Sequence, residues 1–227
     1  MKKRTIPLFI GDQFVSLLVV AVLLFWTSGR IGWWPAWAAI AVWVAYFVAT
    51  DYILLRTNPE LIAERLKPPK SAKNWDRAIV SSLRLTQLVR YIVAGLDFHY
   101  GWTGGFPIWA QIAGLVMSVL GQGLFGWAMV SNAFFSQVVR IQSDRGHAVA
   151  TGGPYRFLRH PSYLGGMVFD LGLGLLLNSW WALLAGGVCA ILFIIRTALE
   201  DRTLQAELPG YKAFARKVRY RLIPGIW

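Results

Sequence analysis

Long apolar runs separated by short basic connectors dominate this chain. Four stretches contain no Asp, Glu, Lys or Arg: residues 13–29, 31–50, 98–139 and 171–195, with lengths of 17, 20, 42 and 25. A bilayer core takes about 20 apolar residues per helix, so the pattern predicts a polytopic membrane protein. Helices are expected near residues 8–26, 33–55 and 107–130. The last apolar region, 163–195, is too long for one ordinary span, and Asn178-Ser179 near its middle predicts a tight turn between two short helices.

Composition agrees. Hydrophobic residues make up 56% and charged residues 15%, with 12 Trp and a mean hydropathy of +0.48. Soluble domains carry about 25% charged residues and disordered chains have few aromatics, so both classes are excluded. The net charge of +12 raises the question of nucleic acid, but the placement of the charge argues for a membrane. Of the 23 Lys and Arg, all but Arg30 fall within residues 2–4, 56–90, 140–159 and 196–221. The positive-inside rule places such clusters in the cytoplasm, facing anionic lipid headgroups. A nucleic-acid binder would instead need a soluble basic domain with aromatic platforms.

The same rule decides an ambiguous segment. Residues 85–99 contain Arg90 and Asp97 and are polar for a span. Were they not to cross, the helix beginning at Pro107 would leave the 140–159 cluster outside, so a short span or a re-entrant piece is expected there. The expectation is an all-α bundle of five to six spans in an inner or plasma membrane, with both termini cytoplasmic. Met1-Lys2-Lys3-Arg4 resembles a signal-peptide start, but no small-residue cleavage site closes the first apolar run, which reads as a retained helix. Cys189, the single cysteine, lies in an apolar run and reads as packing.

Between the second and third clear helices, a polar stretch runs from Arg56 to about Arg77. Residues 60–66 are expected to form a short interfacial helix and Pro68-Pro69 to break the stretch, which reads as a connector rather than a direct participant in chemistry. Gly101, Gly104, Gly105 and Pro107 mark the loop that opens the long third helix.

Candidate chemistry concentrates in residues 146–163, a Gly/Pro-broken basic segment between two membrane helices. Gly152-Gly153-Pro154 requires a turn, and Pro161 pushes His160 out of helical geometry at a helix entrance. Two Arg, two His and two Tyr there suit an amphiphilic, partly anionic small molecule; lipid phosphate facing the same loop is the alternative. There is no G-x-G-x-x-G, P-loop or G-x-S-x-G pattern. His99, His147 and His160 lack zinc spacing, so no metal is expected. Arg196 and Glu200, four apart at the end of the last apolar run, share a helix face. They read either as a local ion pair or as a guanidinium fork aimed at a carboxylate.

The run His147-x-Val149-x-Thr151-x-Gly153-x-Tyr155 followed by Arg159-His160-Pro161-Ser162-Tyr163-x-Gly165 resembles the isoprenylcysteine carboxyl methyltransferase family. Asn178, Arg196, Glu200-Asp201, Leu204, Gly210-Tyr211 and Ile223-Pro224 continue the likeness over roughly residues 140–224. Ser179 stands where that family often has Pro, and Asp201 where it more often has Glu. The resemblance implies an integral membrane methyltransferase using S-adenosylmethionine, with residues 1–139 forming N-terminal spans and residues 140–227 a cofactor-binding region. Carried over by position, His147, Ala148, Val149, Ala150, Tyr155, Arg159, His160, Pro161, Ser162, Tyr163 and Glu200 would hold the cofactor at the cytoplasmic face, with Arg140 as another cofactor contact. Arg196 would face the methyl-accepting group of a lipophilic or lipidated substrate entering from the bilayer. Phospholipid N-methyltransfer and a sterol-type reductase using NADPH are the rival activities. A transporter would instead pair ionisable residues mid-membrane, with Asp12, Asp51, Asp97 and Asp170 as candidates.

Overall fold

The computed structural model describes residues 5–66 and 72–227, so Met1 to Arg4 and the Pro68-Pro69 break lie outside the described residues. Among the described residues eight α-helices follow in order: α1 (Thr5–Ser28), α2 (Trp34–Thr57), α3 (Pro59–Arg65), α4 (Asn74–Tyr100), α5 (Ile108–Val130), α6 (Pro161–Leu176), α7 (Trp180–Glu207) and α8 (Tyr211–Lys217). Among the described residues, five helices are long and apolar enough to cross a membrane: α1, α2, α4, α5 and α7. α6, with 16 residues, is shorter than that. The exposed surface is apolar, with Leu8, Phe14, Trp109, Leu120 and Leu184 pointing outward. Backbone groups facing lipid must be bonded within their own helix, and these helices meet that demand.

The segment expected to be a short or re-entrant span belongs instead to α4, a continuous 27-residue helix that starts at Asn74. Its polar residues find partners. Asp97 accepts from the Thr103 backbone N–H at 2.8 Å and from the Thr103 hydroxyl, tying the loop after α4. Arg90, fully buried, pairs with Asp170 of α6. Asp170, a candidate for mid-membrane ionic chemistry, thus closes α4 on α6. Gly101 ends α4 in the left-handed region, at φ 69°.

The turn at residues 177–179 forms as expected, with Asn178 at φ 59° and Ser179 capping α7 through Ala182 N. However, α7 is a 28-residue helix, not a short one. α5 and α6 lie almost in backbone contact: a Cβ on Gly121 would fall 2.5 Å from Phe169 N, and one on Gly165 2.7 Å from Gly121 O. Small residues at such crossings let membrane helices approach closely.

The α1–α2, α4–α5 and α6–α7 loops gather at one end. Trp180 N donates to Thr103 Oγ1 at 3.1 Å, Asn178 accepts from Phe106 N, and Trp33 stacks on Phe98 at 4.7 Å. The opposite end holds α3, the residues between α5 and α6, the last turns of α7, α8 and the C-terminal tail. The chemistry-bearing residues collect there.

Candidate active site

Three segments build a cavity at that end. The first is the extended chain after α5. Asn132 accepts from Phe134 N at 2.9 Å and donates to the Tyr155 hydroxyl at 3.4 Å. Gln142, fully buried, donates its side-chain amide to Phe134 O at 2.6 Å, accepts from Arg145 at 2.6 Å and donates its backbone N–H to His147 Nδ1 at 3.2 Å. One residue thus closes the loop from 134 to 147. The His147 ring lies 4.7 Å from that of Phe134, and the Arg145 guanidinium lies over the Phe134 ring, 5.5 Å from its centre. Burial, then the charges of Arg140 and Arg145, hold the His147 pKa below its ordinary 6.5, and the neutral ring is the form that accepts from Gln142.

The second segment is the turn into α6. Gly153, at φ 54°, leaves no room for a Cβ, which would fall 2.2 Å from Ser131 Oγ. His160 has φ −128° and precedes Pro161 at the first position of α6, the non-helical entrance expected from sequence. Its N–H donates to Arg221 O at 3.0 Å, and Arg159 N donates to Tyr220 O at 3.0 Å, so the C-terminal tail props this entrance.

The third segment is the end of α7. Asp201, fully buried, is a hub: Tyr211 OH donates to it at 3.0 Å, Arg221 Nε at 3.0 Å and Gln205 at 2.8 Å. Arg159 Nε and His160 Nε2 stand 3.3 and 3.5 Å away. Glu200 instead accepts from Tyr163 OH and lies 4.0 Å from His160 Nδ1. The His160 and Tyr163 rings are stacked at 5.6 Å. Burial pushes the Tyr155 and Tyr211 hydroxyls up, the latter also through Asp201, so both stay protonated.

The cavity is about 760 Å³, its open mouth included. Of the residues the resemblance implied, Arg140, His147, Ala148, Val149, Ala150, Tyr155, Arg159, His160, Ser162, Tyr163 and Glu200 all line it; Pro161 does not, serving as the turn that aims its neighbours. The lining begins earlier than sequence reading placed it, at Asn132, in a run whose lack of charge hid it. Arg140 reaches the cavity while paired with Glu64 of α3 and, at 3.6 Å, Asp144. α3 thus reaches the cavity wall through Glu64.

Arg196 and Glu200 do not pair with each other, contrary to the simpler reading of their spacing. Arg196 donates Nε and Nη2 to Asp76 of α4 at 2.8 and 3.3 Å, and Nη2 to Gln137 O at 2.9 Å. Its guanidinium sits 5.1 Å from the Tyr163 ring centre. Arg196 lines a second chamber of about 1040 Å³ with its openings, walled largely by aromatic and aliphatic side chains such as Trp43, Phe47, Leu83 and Phe193. Phe135, Ser136 and Tyr163 line both chambers. A polar pocket therefore abuts an apolar one, with Tyr163 as a shared wall.

Residues 109–208 match the family model described as phospholipid methyltransferase. The chain is 27% identical over 135 residues to protein-S-isoprenylcysteine O-methyltransferase A of Arabidopsis thaliana, covering 58% of this chain and 64% of that protein. It is 36% identical over 111 residues to the protein-S-isoprenylcysteine O-methyltransferase of Schizosaccharomyces pombe, covering 48% and 47%. It is also 30% identical over 137 residues to the cobalt-zinc-cadmium resistance protein CzcN of Cupriavidus metallidurans, covering 57% of each. The chain thus matches about half to two thirds of the length of these relatives.

Proposed function

As a relative of the isoprenylcysteine carboxyl methyltransferase family, this chain is, we propose, an integral membrane methyltransferase. It moves a methyl group from S-adenosylmethionine to a lipophilic acceptor of the isoprenylcysteine-carboxylate kind. The observation that carries the reading is the shared wall between a polar cavity and an apolar, arginine-bearing chamber. One chamber suits a water-borne donor and the other a greasy acceptor. We place the polar cavity, built by residues 140–227 and the chain from Asn132, at the cytoplasmic face of an inner or plasma membrane. The clustered Lys and Arg support that orientation, with both termini cytoplasmic beside anionic lipids.

The polar cavity fits the cofactor in its donor set. Phe134, His147 and Tyr155 offer aromatic surface for a purine, while Leu204 and Leu208 close the apolar side. Arg140 and Arg159 suit a carboxylate, and Glu200, with Tyr163 on one oxygen, suits a cation. When bound, S-adenosylmethionine supplies an already activated methyl carbon, so in-line placement matters more than acid–base machinery.

Arg196 orients the acceptor. Asp76 and Gln137 hold its Nε and Nη2, and Nη1 makes no hydrogen bond among the described residues. The guanidinium is thereby aimed without being used up. A carboxylate is already ionised at neutral pH, so Arg196 needs only to position it beside Tyr163, and no residue has to remove a proton. The apolar walls of the second chamber exclude water from the acceptor.

The test is methyl transfer from labelled S-adenosylmethionine to a prenylcysteine analogue, run beside phosphatidylethanolamine. Labelled methyl ester with the first and no labelled lipid with the second is expected. Transfer to phosphatidylethanolamine alone would move the reading to an amine acceptor, and transfer to neither would overturn it.

A further inference from the structure

The apolar chamber continues past Arg196. Trp43, Tyr46, Phe47, Arg65, Arg84 and Gln137 line both it and a third hollow of about 930 Å³ with its openings, which Asp12, Gln13 and Asp51 also line, Asp51 within electrostatic reach of Arg65. At this junction two guanidiniums converge. Arg65, the last residue of α3, is half-buried and lies 5.9 Å from the Phe135 ring centre. Arg84 of α4, an exposed residue at the chamber's opening, donates Nη2 to Gln137 Oε1 at 2.9 Å. Neither forms an ion pair with a carboxylate among the described residues, and Asp51 is bonded to Gln13 at 3.0 Å.

The other arginines that line these chambers, Arg140, Arg159 and Arg196, each have an acid, as do the neighbouring Arg90 and Arg221. Arg90 pairs with Asp170, Arg140 with Glu64, Arg159 and Arg221 with Asp201, and Arg196 with Asp76. An arginine carries five donors; Arg84 uses one here and Arg65 none. Cations lining a chamber between membrane helices gain from a counter-charge. Gln137 also accepts from Arg196 on its main-chain oxygen. Arg84 and Arg196 are thus tied through one residue, and a ligand touching both chambers would meet all three guanidiniums.

We propose that Arg65 and Arg84 form an anion-binding subsite at this junction. It takes a phosphate or carboxylate on an amphiphile whose chain lies in the aromatic chamber. The inference rests on reading that chamber as the acceptor's. The same chemistry is offered by the headgroup of the acceptor and by a bilayer lipid phosphate.

Dodecyl phosphate is the probe and dodecanol its uncharged counterpart, each titrated by calorimetry into the full chain in neutral maltoside detergent. The R65Q/R84Q variant is expected to bind dodecyl phosphate about tenfold more weakly or worse, since charge-assisted hydrogen bonds are lost. Dodecanol binding should stay unchanged, and R65K/R84K should keep part of the phosphate affinity. Unchanged dodecyl phosphate affinity in R65Q/R84Q overturns the subsite. An equal loss for dodecanol also overturns it, because the chamber rather than an anion contact has been lost. In phosphatidylcholine nanodiscs, displacement of dodecyl phosphate by a prenylcysteine analogue assigns the subsite to the acceptor. Displacement by added phosphatidylglycerol assigns it to the bilayer, and displacement by neither overturns it. S-adenosylhomocysteine titrated into wild type and R65Q/R84Q separates the two readings. Binding by both, with the phosphate result negative, removes the subsite alone, whereas no binding by either removes the methyltransferase reading.

Discussion

Arg196 of α7 grips Asp76 of α4 across 120 residues of sequence, with Nε 2.8 Å from Oδ1. Asp76 is fully buried and its second oxygen also accepts from Val139 N at 2.7 Å. One carboxylate therefore joins α4, α7 and the chain that lines the polar cavity. Breaking a buried ion pair from one side costs about 3–5 kcal/mol, because the other charge is left behind. Asp76→Ala is expected to lower the thermal midpoint in detergent sharply, while Asp76→Asn, which still accepts from Val139, should lose less. Equal midpoints for Asp76→Ala and wild type would show that the pair does not hold these elements.

Arg196 and Glu200 share a helix face yet serve different chambers. Arg196→Ala is expected to abolish turnover while S-adenosylhomocysteine still binds. Glu200→Ala should weaken that binding by about tenfold, the order expected for losing a charge-assisted contact. Calorimetry on both variants makes the comparison, and an equal loss of affinity in the two would refute the division of roles.

His147 makes the cavity sensitive to acid. Its folded pKa lies below 6.5, so the unfolded chain binds the proton more readily. Stability from the neutral ring is complete above about pH 6.5 and is lost progressively as pH falls toward the folded value. The protonated ring also loses its acceptor role toward Gln142. Affinity for S-adenosylhomocysteine is expected to fall between pH 7 and 5.5, about the range in which histidine titrates. His147→Asn should flatten that slope, and an unaltered slope would exclude His147 as its source.

At the α5–α6 crossing, Gly165 faces Gly121 with no space between. Gly165→Ala would place its Cβ 2.7 Å from both Gly121 O and Phe125 N, so the helices must part. Because α6 carries Ser162 and Tyr163 into the cavity, both thermal stability and cofactor affinity are expected to drop. Gly187→Ala, which meets nothing within 4 Å, is the matched control. Equal behaviour of the two variants would rule out the crossing as the cause.

Asp201 gathers Arg159, His160, Tyr211 and Arg221 around one carboxylate. Asp201→Ala is expected to free the C-terminal tail, which limited proteolysis after Arg219 or Arg221 would detect, and to weaken cofactor binding together with it. Protease resistance equal to wild type would mean that the backbone pairing of residues 159–160 with 220–221 suffices.

Much of the site was legible because its residues are close in sequence and their backbone demands are local. Gly153, Pro161 and the uncharged runs announce a turn, a helix entrance and spans without reference to anything distant. Asp76 and Gln137 were not legible. Asp76 sits in an ordinary polar helix start, and Gln137 in a run marked only by its lack of charge; each matters for a partner that approaches through folding. For the same reason the i, i+4 spacing of Arg196 and Glu200 misled, since a nearer neighbour in sequence lost to a better-placed carboxylate on another helix.

Local chain chemistry, then, determined the helices and their breaks, because hydropathy over about 20 residues and proline or glycine geometry act at short range, while most of the residues that line the polar cavity were named through the resemblance their motifs carry. Tertiary packing alone decided which charges meet. Inside a membrane bundle a buried arginine must find an acid wherever the helices bring one, and the donors left over at Arg196, Arg65 and Arg84 line the apolar chamber.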